Sequence, residues 1–357
     1  PPGGRACGTM ARAMSGIGYG EVQPLGRRAI RGLLAEAAPC AGPLVMGTGI
    51  VAVALSLAGF GVGSRILLAV AAVAWLAATL AVVSRTARAR PWTIPGSRTP
   101  YALTSVGATC VLGDGLLRVG WTAPALALWW LGAALLCALL PGVAAGRPWG
   151  DGHSFLLAVA TQSVAALAAT LAAARGADWM IVVALALFAA GLVLYLAALA
   201  RFPPSQLRLG GGEIWIAGGA LAISALACGE LVTAIDADGV LNGARDGLSG
   251  LDLGLWIAAV AWLPVLAAAE LRWPRWGYRP SRWATVFPVG MYATCSFATG
   301  AAAGLGGVTR FARVWVWIAL AVWCLAAIGL TRSALGRGGA EAAAPEEASG
   351  PGRARRT

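Results

Sequence analysis

No lysine occurs anywhere in this chain of 357 residues, and its 27 basic residues are all arginine. Negative charge is scarce too, with 15 acidic residues, and there is one histidine, His153. A water-soluble domain carries about a quarter of its residues as charges. Here charged residues are 12% and hydrophobic ones 59%. So little polar surface excludes a soluble globular domain. A mean hydropathy of +0.74 points to a polytopic membrane protein.

Other absences narrow the chemistry. Cys7, Cys40, Cys110, Cys137, Cys228, Cys295 and Cys324 form no CxxC, which argues against a zinc site or a disulfide framework. Five of them lie in apolar stretches, where small soft fillers pack well. HExxH, a Walker A loop, GxSxG and a Gly-rich fingerprint after a strand are all missing, and GDG at 113–115 is too short to count. No enzymatic constellation and no cofactor are expected. Residues 1–38 carry Arg5, Arg12, Arg27, Arg28 and Arg31 without an apolar core, so a cleaved signal peptide is not expected. No carboxylate or base sits at the centre of an apolar run. Asp114, Glu213, Glu230 and Glu270 lie towards the ends, and Arg118 is an i,i+4 partner for Asp114.

What the chain does have is a series of apolar runs of about 20 residues, the length that crosses a bilayer. They cover 40–60, 64–84, 101–120, 123–142, 154–174, 178–200, 211–230, 252–271, 283–303 and 311–332. The spacing predicts ten transmembrane helices over 39–332, after a basic segment at 1–38 and before a disordered tail at 333–357. With both termini on one side, 21 arginines fall on that side and six on the other. The positive-inside rule then places both termini in the cytoplasm, at the plasma membrane. It also accounts for the net charge of +12 without nucleic acid as a partner. Trp92, Trp149, Trp179, Trp273, Trp276 and Trp283 fall at run edges, as an interfacial aromatic belt requires.

The runs alternate in character. The odd-numbered ones carry the polar side chains and the helix breakers. The first holds Pro43, Gly47, Thr48 and Gly49, the third Gly107 and Thr109, and the fifth Thr161, Gln162 and Ser163. The seventh holds Gly218 and Gly219, and the ninth holds Phe287, Pro288, Gly290 and Met291. Even-numbered runs are smoother, as in RILLAVAAVAWLAATLAVV. Unbroken apolar surface suits lipid, whereas irregular or hydroxyl-bearing helices must face protein or a water-filled cavity. The fold expected is therefore all-α and membrane-integral. It has five helical hairpins, with five inner pore-lining helices ringed by five outer ones.

Four stretches resemble a known family: PLVMGTGIVAVAL (43–55), VATQSVAALAA (159–169), EIWIAGGALAISAL (213–226) and WATVFPVGMYAT (283–294). They are similar to the tellurite-resistance/C4-dicarboxylate transporter family, which includes malic-acid permeases and plant slow-type anion channels. The resemblance implies a trimer of ten-helix subunits, each with a pore occluded by a phenylalanine of the ninth helix, here Phe287. Substrates in that family range over chloride, nitrate, malate, sulfite and, by phenotype, tellurite. The expectation is membrane transport of small anions, inorganic or C4-dicarboxylate, through a neutral path gated at Phe287. The alternatives are a proton-coupled dicarboxylate or sulfite carrier, and a membrane stress protein without transport.

Overall fold

The computed structural model describes residues 41–88, 98–146, 149–203, 205–206, 214–274 and 277–343. The basic segment 1–38, Cys7, Cys40, Trp92, Glu213, Trp276 and the tail beyond 343 lie outside them. By internal contacts the chain divides into Ala37–Leu330 and a second group, Pro1–Glu36 with Thr331–Thr357. The second group is described only where the last helix runs on to Ala343, into the segment expected to lack structure.

The described residues are helical, with no strand. Ten α-helices follow one another: α1 (Ala41–Leu57), α2 (Gly61–Arg88), α3 (Thr104–Arg118), α4 (Thr122–Ala145) and α5 (Leu156–Arg175). Then come α6 (Asp178–Leu199), α7 (Ile214–Asp238), α8 (Arg245–Arg272), α9 (Trp283–Ala302) and α10 (Gly306–Ala343). Seven of them are long and apolar enough to cross a membrane: α2, α4, α5, α6, α7, α8 and α10. The other three differ from the ten spans expected for physical reasons. α1 has 17 residues and α3 only 15, about 22 Å of helix at 1.5 Å per residue. α9 has 20 residues, but Thr, Ser and Gly dilute its hydropathy.

Burial alternates along the chain. In α1 every residue from Pro43 to Leu55 is buried, in α5 every residue from Leu156 to Ala169, and in α9 every residue from Thr285 to Gly300. The apolar windows of α5 and α7 are 94% and 89% buried, against 17–33% in α2, α4, α6, α8 and α10. An all-round buried helix has no amphipathic stripe to display, and these helices display none. Each odd-numbered helix packs on the next, α1 on α3, α3 on α5, α5 on α7 and α7 on α9, and α9 returns to α1. The even-numbered helices present stripes to the outside, such as Val62, Ile66, Val70, Val73, Leu76 and Leu80 of α2. In water, so much contiguous apolar surface would drive association; a hydrocarbon surround removes that penalty.

Tryptophans fasten the exposed helices to the buried ones. Trp75 of α2 donates its indole N–H to Thr109 Oγ1 of α3 at 3.0 Å. Trp129 of α4 donates to the Val164 carbonyl of α5 at 3.2 Å. Trp256 of α8 donates to Ser296 Oγ of α9 at 2.8 Å. Trp323 of α10 reaches back to Thr48 Oγ1 of α1 at 3.0 Å, across 275 positions of sequence. Where no water competes, each such bond satisfies a polar group that would otherwise be costly to bury. Of the tryptophans expected at the interface, Trp179 is exposed and Trp149 lies under the Arg201 guanidinium, 4.9 Å from its ring centre. Trp283 is instead fully buried and donates to Tyr278 Oη.

Candidate functional site

The packing of α9 between α1 and α7 shows what the breakers at 283–292 do. A methyl group at Gly219 of α7 would lie 2.8 Å from Pro288 Cγ, so the proline ring of α9 fills the notch that glycine leaves. On the other side, a methyl at Gly290 would lie 2.5 Å from Ile50 Cγ2, and one at Gly47 would lie 3.0 Å from Val286 Cγ1. Helices α1 and α9 thus exchange a side chain each way through a glycine. This is the close approach that small residues permit between membrane helices. Gly49 receives Val111 of α3, and Gly218 receives the Tyr292 hydroxyl, which donates to the Ala259 carbonyl of α8.

The nominated polar groups divide in two. Thr48 and Thr109 accept tryptophan indoles from the flanking helices. Gln162 is directed the same way: its amide donates to the Phe188 carbonyl of α6, in the space beside Gly191. Thr161 donates to the carbonyl of Leu157 in its own helix, and Pro43 is buried in the first turn of α1. Ser163 and Met291 face the other way, into a common cavity.

All five odd-numbered helices converge on that cavity. Its walls are Ile50 of α1, Val111 and Asp114 of α3, Ser163, Leu167 and Thr170 of α5, Ile223, Leu226 and Glu230 of α7, and Met291 of α9. It holds about 20 Å³, room for about one water molecule. A larger groove of about 530 Å³ runs along α8 past Pro264, Ala268 and Trp273, but it is open and almost wholly apolar. The smaller cavity has convergent polar groups and is the candidate site.

One helical turn N-terminal to the cavity walls, the residues four positions back share the same helix faces. Behind Ile50 and Met291 stand Met46 and Phe287, both buried. Behind Val111 and Ile223 stand Gly107 and Gly219. The Met46 thioether fills the place of the missing Gly107 side chain, with Cε 2.6 Å from where a methyl would be. Two bulky side chains and two glycines thus occupy one level.

At the other end of the cavity the walls become charged. Arg118 donates from Nε to Asp114 Oδ2 and from Nη2 to Glu230 Oε1, each at 3.0 Å. The i,i+4 pair expected between Asp114 and Arg118 is present, and Glu230 joins it from α7. Sequence reasoning set Glu230 at a helix end because the seventh run stops at 230, whereas α7 continues two further turns to Asp238. Asp252 was missed for the same reason. It looked like the first residue of the eighth run, but α8 begins at Arg245 and buries Asp252 completely. There Thr299 donates to its Oδ1 at 2.8 Å, and its Oδ2 has no hydrogen-bond partner among the described residues. No group of three or more His, Cys, Asp or Glu among the described residues is placed to hold a metal ion.

Residues 38–331 match the sequence profile of the family described as voltage-dependent anion channel, SLAC1. The chain is also similar to uncharacterized membrane proteins from two strains of Mycobacterium tuberculosis, CDC 1551/Oshkosh and ATCC 25618/H37Rv. Each is 33% identical over 137 residues, covering 35% of this chain and 67% of the relative. The profile match takes in all four motifs and the greater part of the described helices. The chain belongs to the voltage-dependent anion channel family, as a multi-pass membrane protein.

Proposed function

We propose that the protein conducts small anions along the axis enclosed by α1, α3, α5, α7 and α9, and that Phe287 closes this path. The observation that carries the reading is the cavity to which all five of these helices contribute, with Phe287 one turn from its Met291 wall. On this reading all ten helices cross the bilayer as five hairpins, the odd ones lining the path and the even ones facing lipid. Short or hydroxyl-bearing helices such as α3 and α9 are tolerable only when shielded from lipid in this way. The 21-to-6 division of arginines supports cytoplasmic termini at the plasma membrane, and family resemblance supports a trimer.

A path that narrows to a cavity with room for about one water, beside two bulky apolar side chains, blocks ions by exclusion and dewetting. Removing the Phe287 ring takes the larger of the two bulky side chains from that level and leaves the Met46 thioether, which is already held against Gly107. Ser163 and Thr170 supply hydroxyls that are now donated to their own helix carbonyls and can turn towards a passing anion. Neither a cofactor nor a catalytic step enters this account.

The test is Phe287→Ala in reconstituted bilayers, with chloride and nitrate as carriers of current. The expected result is a conductance well above wild type at matched protein density. Unchanged current from a variant that retains wild-type folding refutes the gate. A coupled carrier is the second reading, favoured by one observation, the fully buried Asp252. Saturable dicarboxylate uptake driven by a pH gradient in proteoliposomes would establish it over the channel.

A further inference from the structure

An apolar path closed by a phenylalanine does not account for the charges at the far end of the cavity. Asp114 and Glu230 both line it, and each contributes one carboxylate oxygen to the Arg118 guanidinium. We propose that Arg118 is an anion-binding side chain of the permeation path. Asp114 and Glu230 occupy its guanidinium in place of the permeant anion. This rests on the transport reading above.

Three features support the assignment. Guanidinium offers a planar fork matched to the oxygens of small anions, and here both engaged nitrogens hold carboxylates in the cavity wall. The two carboxylates come from different helices, α3 and α7, so releasing one does not undo the other. The cluster is also not closed on itself: Asp114 Oδ1 is buried and has no hydrogen-bond partner among the described residues. Asp114 and Glu230 line a cavity with room for about one water, so a carboxylate released from Arg118 can be hydrated in place. A network that exchanges partners with a passing anion has to leave some of them loose.

With all three groups ionised, the cluster of two carboxylates and one guanidinium has a net charge of −1. Asp114 and Glu230 take two of the five guanidinium N–H donors, so an anion at this end competes with them for Arg118. The carboxylates then act as tethered competitors that set how much anion is needed before the site fills. Neutralising one of them has the opposite effect to removing the guanidinium. A purely structural ion cluster behaves differently: loss of either partner breaks the same α3–α7 link and acts in one direction.

The experiment uses the full chain with Phe287→Ala as background, reconstituted in proteoliposomes, with chloride flux measured over a concentration series. Glu230→Gln is expected to lower the half-saturating chloride concentration several-fold. Arg118→Gln is expected to raise it by roughly tenfold, the scale of one charge-assisted hydrogen bond. Shifts in the same direction, or an unchanged half-saturation in Glu230→Gln, overturn the proposal while leaving the anion path standing. Absence of flux in Phe287→Ala itself overturns the transport reading and this proposal with it. Chloride-dependent thermal stabilisation in detergent gives a second measurement, larger than wild type in Glu230→Gln and lost in Arg118→Gln. Equal stabilisation in all three counts against Arg118. Arg118→Lys, which keeps the charge but not the fork, should fall between wild type and Arg118→Gln.

Discussion

Replacing Gly219 with alanine tests whether the breakers of α9 are seated as described. The added methyl would stand 2.8 Å from Pro288 Cγ, 2.9 Å from Cβ and 3.2 Å from Cα. Carbon atoms rest about 3.5–4.0 Å apart, so α7 and α9 must separate by roughly 0.7 Å. Nothing flexible is available to yield, because the nearest atoms belong to a closed ring and to backbone. Overpacking of this kind costs about 1–3 kcal/mol, which corresponds to a fall in Tm of about 2–10 °C for a chain of a few hundred residues. Helix propensity alone argues the other way, since alanine is favoured over glycine by about 1 kcal/mol inside a helix. Gly254 of α8 is the control: nothing stands within 4 Å of a methyl placed there. Gly254→Ala should therefore unfold at or above the wild-type temperature. The assay is thermal unfolding of the detergent-solubilised protein, followed by tryptophan fluorescence, with chloride flux on the same preparations. Gly219→Ala should be less stable and should leak, because Phe287 precedes the displaced proline directly. If Gly219→Ala melts at or above wild type while Gly254→Ala behaves as stated, α9 is not seated on Gly219. If stability falls and flux stays at the wild-type level, the packing stands and its link to Phe287 does not.

Two further pairs of substitutions test the fastening of the buried helices. Trp323→Phe keeps the ring but removes the N–H that reaches Thr48, so it should destabilise by about 0.5–1.5 kcal/mol. A larger loss in the double variant with Thr48→Val than in Trp323→Phe alone would show that the pair is not the unit affected. Thr299→Val removes the donor to fully buried Asp252 and should cost about 1–3 kcal/mol. Thr294→Val should cost less, because the Thr294 hydroxyl bonds only to its own helix backbone and a nearby sulfur. Equal melting temperatures for the two valine variants would contradict the assignment of Thr299 to Asp252.

Much of this molecule is written locally. Apolar runs of bilayer length bring out the membrane class and the helical elements, because every backbone group in hydrocarbon must be satisfied within its own segment. The ends of those elements are less legible. Amphipathic and charged residues near a helix end read as loop, so α7 and α8 are each longer than their apolar runs. Glu230 and Asp252 therefore fall two turns inside helices rather than at their borders. An i,i+4 relation exposes the Asp114–Arg118 pair, while nothing in a one-dimensional pattern brings Glu230 to the same guanidinium from 112 positions away.

The direction of each polar side chain on a buried helix is the part that pattern reasoning cannot reach. Periodicity sorts residues into a wet and a dry face only when one face is wet, and α1, α5 and α9 are buried all round. Thr48, Thr109 and Ser163 look alike in sequence, each a hydroxyl in the middle of an odd-numbered helix. Their partners separate them. Thr48 and Thr109 meet indoles of α10 and α2, whereas Ser163 borders the cavity. A sequence signal for the first kind does exist, in tryptophans set in the middle of otherwise plain apolar helices, as in VAWLAA around Trp75 and AVWCLAA around Trp323. A mid-span tryptophan needs an acceptor for its N–H, and lipid offers none, so a buried hydroxyl or carbonyl of a neighbouring helix must supply it. By that reasoning Thr48, Thr109 and Ser296 serve to hold the bundle together. On the proposed reading, the chemistry of the path is left to Ser163, Thr170 and the Arg118 cluster.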